Sequence, residues 1–341
     1  MATIYDISRE TGYSIATVSK VINNYKGVSQ AARQTIEAKI AELGFTPNST
    51  ARTLATKKSW LVAILFAEEK GMGIVHPHYS SILQGFKDAI GQHGYDILFL
   101  NPSLGSRRMS FTEHCRFRNV DGVMLAMSTK FTAQAQDLLA DAALPKVSVE
   151  SIYPGVPTVI SDNAMGARQA MEHLYMMGHR RIAHIAAPQD TPAGQERYQA
   201  YRQFLADNGL PFDPALCVTA AQYNKAAGAD AVHTLLQQCW DHFPTAIYAA
   251  YDDYACAAEE ILTERGFRVP EDVSIVGNDD LPAARFTRPG ITTVRQDRSA
   301  IGAKAAELLV QLMEQQRTAD NSITRIPTEL VVRQSTFRNA K

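Results

Sequence analysis

Ser14, Thr17, Ser19, Lys20 and Asn23 fall within one short stretch and carry hydroxyls, an amide and a single cation. Side chains of this size and polarity can approach base edges and phosphates closely. Val18, Val21 and Ile22 recur at i, i+3 and i+4, the inward stripe of a helix over Ile15–Asn23. The opposite face then carries Ile15, Ala16, Thr17, Ser19, Lys20 and Asn23. Ser14 is placed to cap that helix. Upstream, Thr3 stands three residues before Asp6, a capping signal for a first helix ending near Glu10, and Gly12 supplies the turn between the two. Two short helices joined this way place the second in a DNA groove. A small helical cap with an ordinary polar face is the alternative.

The next segment favours the first reading. Ser29 caps a predicted helix through Leu43, with Ile36, Ile40 and Leu43 on one stripe and Gly44 as the stop. Pro47-Asn48 then signals a further helix start, and Lys57-Lys58 ends the segment. Residues 1–58 hold eight Lys/Arg against four Asp/Glu, so 8 − 4 = +4, while the whole chain is −1; the remainder therefore carries −5. A small basic head on an acidic body is the electrostatic footprint of a nucleic-acid reader.

At 341 residues the chain exceeds what one core usually supports, so a head plus a two-lobed body is expected. The four cysteines, Cys115, Cys217, Cys239 and Cys256, are scattered with no C-x-x-C pair, against a zinc site or a disulfide framework. No run of 18 apolar residues occurs, and the N-terminus lacks the charged start and apolar stretch of a signal peptide, so a cytoplasmic location is expected. No H-E-x-x-H, G-x-S-x-G or P-loop is present, and Gly71-Met-Gly73 lacks the rest of a dinucleotide fingerprint. His76-Pro-His78 has a metal-like spacing but no acids or cysteines nearby, and reads as polar loop. The expectation is no enzyme, no metal and no cofactor.

From Trp60 onward, short apolar runs alternate with amphipathic helices. Strands are predicted at 61–66, 96–100, 122–127, 146–150, 158–160, 181–186, 245–250 and 273–277. Helices are predicted at 80–93, 163–177, 195–208 and 254–265. This rhythm predicts an α/β body of parallel sheets covered on both faces. Open sheets of this kind bind ligands at the carboxyl ends of their strands. Asp279, just beyond the 273–277 strand, is a carboxylate able to accept two hydroxyl hydrogen bonds from a vicinal diol.

IYDISRETGYSIATVSKVINN, VSQAARQTIEAKIAELGFTPNSTARTLATKKS and VGNDDLPAARFTRPGITTVRQD together resemble the lactose/galactose-repressor family of bacterial transcription regulators. The likeness covers essentially the whole chain. It implies a helix-turn-helix head (1–47), a hinge helix and linker (48–59) and a periplasmic-binding-protein-like body (60–341). The body would have an N-lobe of about 60–160 plus 294–323 and a C-lobe of about 161–291 plus 326–337, with crossings near Ser161, Thr292 and Arg325. It implies DNA contacts from Thr3, Ser14, Ile15, Ala16, Thr17, Ser19, Lys20 and Asn23, and from Asn48, Ala51 and Leu54 in the hinge. Leu54 would be the minor-groove wedge. It implies effector contacts from His78, Tyr79, Arg197, Tyr223, Tyr251, Asp279 and Gln296.

One departure stands out. The family often carries Asn-Asp where this chain has Tyr251-Asp252, so a phenol replaces a short amide. Stacking on an apolar sugar face is expected from Tyr251, and helix capping from Asp252. The purine-responsive branch has an arginine where this chain has Thr191, which favours a carbohydrate effector. The partners implied are an operator duplex, a small-molecule effector and a second copy of the chain, with no membrane. A dimer is favoured because no leucine-heptad tail follows Phe337. The alternatives are a global catabolite regulator recruited by a phosphoprotein and a sugar-binding transport component.

Overall fold

The computed structural model describes residues 2–23, 25–46, 53, 58–67, 74–101, 103–127 and 133–339. The chain divides into two compact units, Met1–Ser59 and Trp60–Lys341.

The first unit contains α1 (Ile4–Thr11), α2 (Ile15–Ile22) and α3 (Gln30–Glu42). Thr3 and Asp6 form a reciprocal capping box on α1, and Ser14 and Ser29 cap α2 and α3. Gly12 takes φ 72°, a left-handed turn that a side chain would strain. These helices are too short to stand alone, so their stability comes from the small core they share. Ile7, Val18, Val21 and Ile36 are buried in it, with Ile22, Ile40 and Leu43 packed at its edge.

The second unit holds two six-stranded sheets. The chain lays down β1 (Leu61–Ala67) and β2 (Asp96–Phe99), then the hairpin β3 (Ser103–Leu104) and β4 (Arg107–Arg108). β5 (Gly122–Met127), β6 (Lys146–Val149) and β7 (Thr158–Ser161) follow. It then builds β8 (Ile182–Ala186), β9 (Cys217–Thr219), β10 (Ala246–Ala249), β11 (Ser274–Asp279) and β12 (Thr292–Gln296). Last come β13 (Ile323–Ile326) and β14 (Thr328–Val331). The first sheet runs β13-β7-β6-β5-β1-β2, all parallel. The second runs β14-β12-β11-β10-β8-β9, parallel except for β14 against β12.

The central strands of each sheet are buried on both faces, which is why most of them are near-continuous apolar runs. In β1, Val62 and Ile64 face one core while Ala63 and Leu65 face another. The first core is closed by α4 (Pro77–Gln92) and α12 (Arg298–Met313), and the second by α5 (Phe111–Arg118) and α6 (Ala133–Ala140). On the second sheet, α7 (Asn163–Met176) and α8 (Pro192–Asp207) cover one face, and α9 (Lys225–Cys239) and α10 (Asp252–Glu264) the other. The short α11 (Pro282–Phe286) follows β11.

The chain passes between the sheets after Ser161, after Gln296 and after Ile326. The second passage lies beyond the expected crossing near Thr292, because residues 292–296 pair with β11 and β14 in the second sheet. Thr-Thr-Val-Arg-Gln does not read as a buried strand, yet four of its five residues are buried. The hydroxyl of Thr293 and the amide of Gln296 find partners on other elements, which removes the penalty for burying them.

Helices α4 and α12 cross in very close contact. A Cβ on Gly302 would stand 1.9 Å from the Ile82 carbonyl oxygen, and one on Gly85 2.2 Å from that of Ser299. Gly91, on α4 with open space around it, is the internal control. Gly302→Ala should therefore destabilise the body by about 1–3 kcal/mol through overpacking. Gly91→Ala should be neutral or stabilising by about 0.5–1 kcal/mol through helix propensity. Urea denaturation of the full chain measures both, and equal effects would contradict the contact.

Candidate functional site

Two surfaces answer to the residues singled out in the sequence. In the first unit, Ser14, Ile15, Ala16 and Lys20 are exposed along α2, and Thr17, Ser19 and Asn23 are half-buried beside them. Some of these polar groups are already engaged. The Thr3 hydroxyl donates to Asp6 at 2.7 Å within the capping box, and the Ser14 and Thr17 hydroxyls are 2.9 Å apart. Asn23 closes α2 and donates its amide to the Ser19 carbonyl at 2.9 Å. Ile15, Ala16 and Lys20 therefore present the freest contact groups. Tyr5, 68% exposed at the start of α1, joins this unit's outer surface. Asn48, Ala51 and Leu54 lie outside the described residues.

The second surface forms where strand ends of both lobes meet. His76, His78, Tyr79, Glu150 and Ser161 come from the first lobe. Asn163, Arg197, Tyr223, Tyr251, Asp279 and Gln296 come from the second. Arg197 is the centre. Its Nε donates to Asn163 Oδ1 at 3.0 Å, Nη1 to the Ala250 carbonyl at 2.6 Å, and Nη2 to Asp279 Oδ1 at 3.4 Å. Three of the five guanidinium N–H groups are thus engaged.

Asp279 is the last residue of β11 rather than a residue beyond it, and it holds φ 114°. Its Oδ1 collects Arg197, the Asn278 amide at 2.8 Å and the Gln296 amide. Oδ2 has no donor among the described residues. Gln296 in turn accepts from the Ser161 hydroxyl at 2.6 Å, so one side chain ties a first-lobe strand to the carboxylate.

Tyr251 departs from the stacking role expected of it. It is buried, and its hydroxyl lies 2.8 Å from His76 Nε2 on the opposite lobe. His76 Nδ1 accepts the His78 amide at the start of α4, so the imidazole proton sits on Nε2 and is donated to the phenol. The His76-Pro-His78 motif is therefore a helix cap and a cross-lobe contact, not idle loop. Edge-on contacts to Tyr223 and Tyr254, with centroids 5.6 and 5.4 Å away, hold the Tyr251 ring. Tyr223 bonds Thr191 through its hydroxyl at 2.7 Å. Tyr79 is buried edge-on against Phe66 and His78. Burial pushes the His78 pKa down to about 4, leaving the ring neutral at physiological pH.

Asp252 does not cap α10. Its side chain is fully buried and accepts from the Leu281 amide at 2.6 Å and the Thr293 hydroxyl at 2.5 Å. Glu150 also escaped the sequence reading. It follows β6, accepts the Ser161 amide at 3.4 Å and holds φ 60°. Burial raises its pKa to about 7, against the opposing pull of Arg197. A further cross-lobe contact joins Arg325 on β13 to Glu196 on α8 through two bonds of 2.7 and 2.9 Å. Among the described residues no group of histidines, cysteines and carboxylates is arranged to hold a metal ion.

Residues 3–48 match the model of bacterial regulatory proteins of the lacI family, and residues 171–336 that of a periplasmic binding protein-like domain. The HTH-type transcriptional regulator CelR of Thermobifida fusca is 34% identical over 98% of each chain. The catabolite control protein A of Priestia megaterium is 31% identical over 98% of this chain and 99% of its own. The chain belongs to the lacI family. Two solved structures bear on the geometry of this lacI-family member. The CelR–cellobiose complex superposes with a TM-score of 0.70 at 33% identity, covering 98% of this chain and all of the other. The lac repressor dimer bound to operator and the anti-inducer ONPF superposes with a TM-score of 0.79 at 25% identity, covering 98% and 99%. The relatives are transcriptional regulators and not enzymes. No described helix is long and apolar enough to cross a membrane.

The raised Glu150 pKa carries a pH signature in this regulator. The folded state keeps a proton that the unfolded chain releases between about pH 4.5 and 7, so the glutamate's contribution to stability is lost as pH rises through about 7. Glu150→Gln keeps the shape and removes the titration. The melting temperatures of the two proteins should be nearly equal at about pH 5 and diverge by about pH 8, with the glutamine variant higher. A constant offset across that range would show that Glu150 is not desolvated in the cleft.

Proposed function

We propose that this chain is a ligand-responsive repressor of carbohydrate-use genes. It acts in the cytoplasm as a homodimer on a palindromic operator, with a neutral sugar in the inter-lobe cleft setting operator affinity. The observation that carries the reading is the polar set around Arg197 and Asp279, drawn from both lobes at their strand ends. Its acceptors and N–H groups suit hydroxyls. The charge of Arg197 is matched by Asp279, and Glu150 adds a carboxyl nearby, so a phosphorylated sugar finds no unmatched cation among them. CelR, a relative over the whole chain, has a cellobiose complex, which agrees with a sugar here.

In this reading residues 1–47 are the DNA-binding head and 48–59 the hinge. Helix α2 enters the major groove, Ile15 and Ala16 meet thymine methyls, and Lys20 and Asn23 meet phosphates or base edges. The hinge, with Asn48, Ala51 and Leu54, orders against its twin across the minor groove, and Leu54 wedges a central base step. The effector changes the angle between lobes and so the separation of the two hinges. A coupling of about 1–3 kcal/mol suffices to switch operator affinity five- to 150-fold.

Lys20→Ala should weaken operator binding by about 1–3 kcal/mol in gel shifts at fixed salt. Leu54→Ala should reduce operator bending while sugar affinity stays intact. Asp279→Ala should abolish the sugar response in calorimetry and keep operator binding. A wild-type protein with no preference for palindromic over scrambled duplexes would end the proposal.

The likeness to catabolite control protein A supports a second reading, a global regulator recruited by a phosphoprotein. Operator affinity that rises only with such a partner and ignores sugars selects it.

A further inference from the structure

We propose that Asp280 is a positioning residue for the effector site: gripped by three arginines, it fixes the turn that aims Asp279 into the cleft. This rests on the reading of the inter-lobe cleft as the effector site. Asp279 and Asp280 are consecutive non-glycine residues at φ 114° and 49°, a backbone path that L side chains rarely follow. Such a path persists only where surrounding bonds over-determine it.

Those bonds are present on every side. The buried Asp280 carboxylate accepts from Arg285 Nη2 at 2.9 Å, from Arg295 Nε at 2.8 Å and from Arg333 Nη2. The three arginines come from α11, from β12 and from the segment after β14, so one side chain is anchored to three parts of the lobe. The Asp280 amide donates to the Thr293 hydroxyl at 3.3 Å, and the Leu281 amide to Asp252 at 2.6 Å. Arg298 donates to the Asp279 carbonyl at 2.8 Å. Burial opposes ionisation of Asp280, but the bonds from Arg333, Arg295 and Arg285 outweigh it and pull its pKa to about 2.

None of the three arginines donates to the Asp279 carboxylate, and none of the donors to that carboxylate donates to the Asp280 carboxylate. The adjacent carboxylates therefore have separate duties, one facing the ligand and one facing the frame. Three guanidiniums on one carboxylate is a poor charge balance, relieved in part where Arg295 also meets Glu329 at 3.3 Å. What the arrangement secures is a turn held at its carboxylate, its amides and its carbonyl. Asp252 adds a link between ligand loops: adjacent to Tyr251 in sequence, it bonds the turn that carries Asp279.

Asp280→Asn keeps the shape and tolerates positive φ but loses the charge that holds the arginines. Asp280→Gly relieves the backbone and removes the grip entirely. Arg285→Gln removes only a half-exposed partner and guards against a failure to fold. In the full-length protein, hydrogen exchange at the Asp280 and Leu281 amides should quicken at least about tenfold in both Asp280 variants. Exchange in β8 and β10 should stay unchanged. Calorimetry with cellobiose as the probe should show affinity at least about tenfold weaker in the Asp280 variants and less so in Arg285→Gln, with ligand-free operator affinity within about twofold of wild type.

Wild-type exchange at those two amides, or quickening spread evenly over the lobe, overturns the positioning role. Wild-type sugar affinity in Asp280→Gly does the same, because positive φ alone would then suffice. If the wild-type protein binds neither cellobiose nor any other sugar tried, the effector reading fails while the exchange data still decide the role of Asp280.

Discussion

A guanidinium buried between two lobes sets the terms for everything around it. Arg197 has lost nearly all its water, so each of its charge-bearing N–H groups needs a partner supplied by the protein or by a ligand. Asn163 at the start of α7, the carbonyl after β10 and the carboxylate ending β11 must all converge on it. That requirement fixes the amino end of α7 and the carboxyl ends of β10 and β11 relative to one another. A buried ion pair is weak evidence for stability, since apolar packing of the same volume often serves as well. This pair lies at the strand ends, and Asp279 Oδ2 has no donor among the described residues.

The way the lobes are held together follows a different rule from the way each is built. Four apolar clusters fill the body, and each belongs wholly to one lobe or the other. Polar contacts cross between the lobes: His76 with Tyr251, Ser161 with Gln296, Arg325 with Glu196, and Arg298 with the Asp279 carbonyl. Apolar surfaces, once separated, pay the full hydrophobic penalty, whereas polar groups recover much of theirs by hydrogen bonding to water. Two rigid cores joined by polar contacts and three chain passages form a system that can change angle without unfolding.

How much of this was legible in the sequence depended on how far each residue's partner lay along the chain. The helix caps Thr3, Ser14 and Ser29 bond backbone three residues away, and all three were read correctly. The long apolar strands and the helices ended by Gly94, Gly178 and Gly209 were equally local signals. What escaped reading has distant partners. Asp252 resembles a cap until Leu281 and Thr293, 29 and 41 residues on, are brought beside it. His76 resembles loop until Tyr251 arrives from 175 residues away. Thr292–Gln296 resembles a connection because its buried polar groups are satisfied by Asp252 and Ser161, which no periodicity reveals.

The tyrosine at position 251 shows why such a long-range partner changes chemistry as well as folding. A short amide there would leave its polar atoms in the cleft for a ligand. The phenol instead carries its oxygen across to the opposite lobe, where His76 donates to it. Its ring is then enclosed by Tyr223 and Tyr254 on its own lobe. The polar groups that remain there are Asp279 Oδ2, the two N–H groups of Arg197 without acceptors among the described residues, and the Glu150 carboxyl. Arg197 is matched there by Asp279, and a second cation, Arg298, donates to the Asp279 carbonyl from the opposite lobe. The same phenol thus closes one end of the cleft with a polar bond between the lobes.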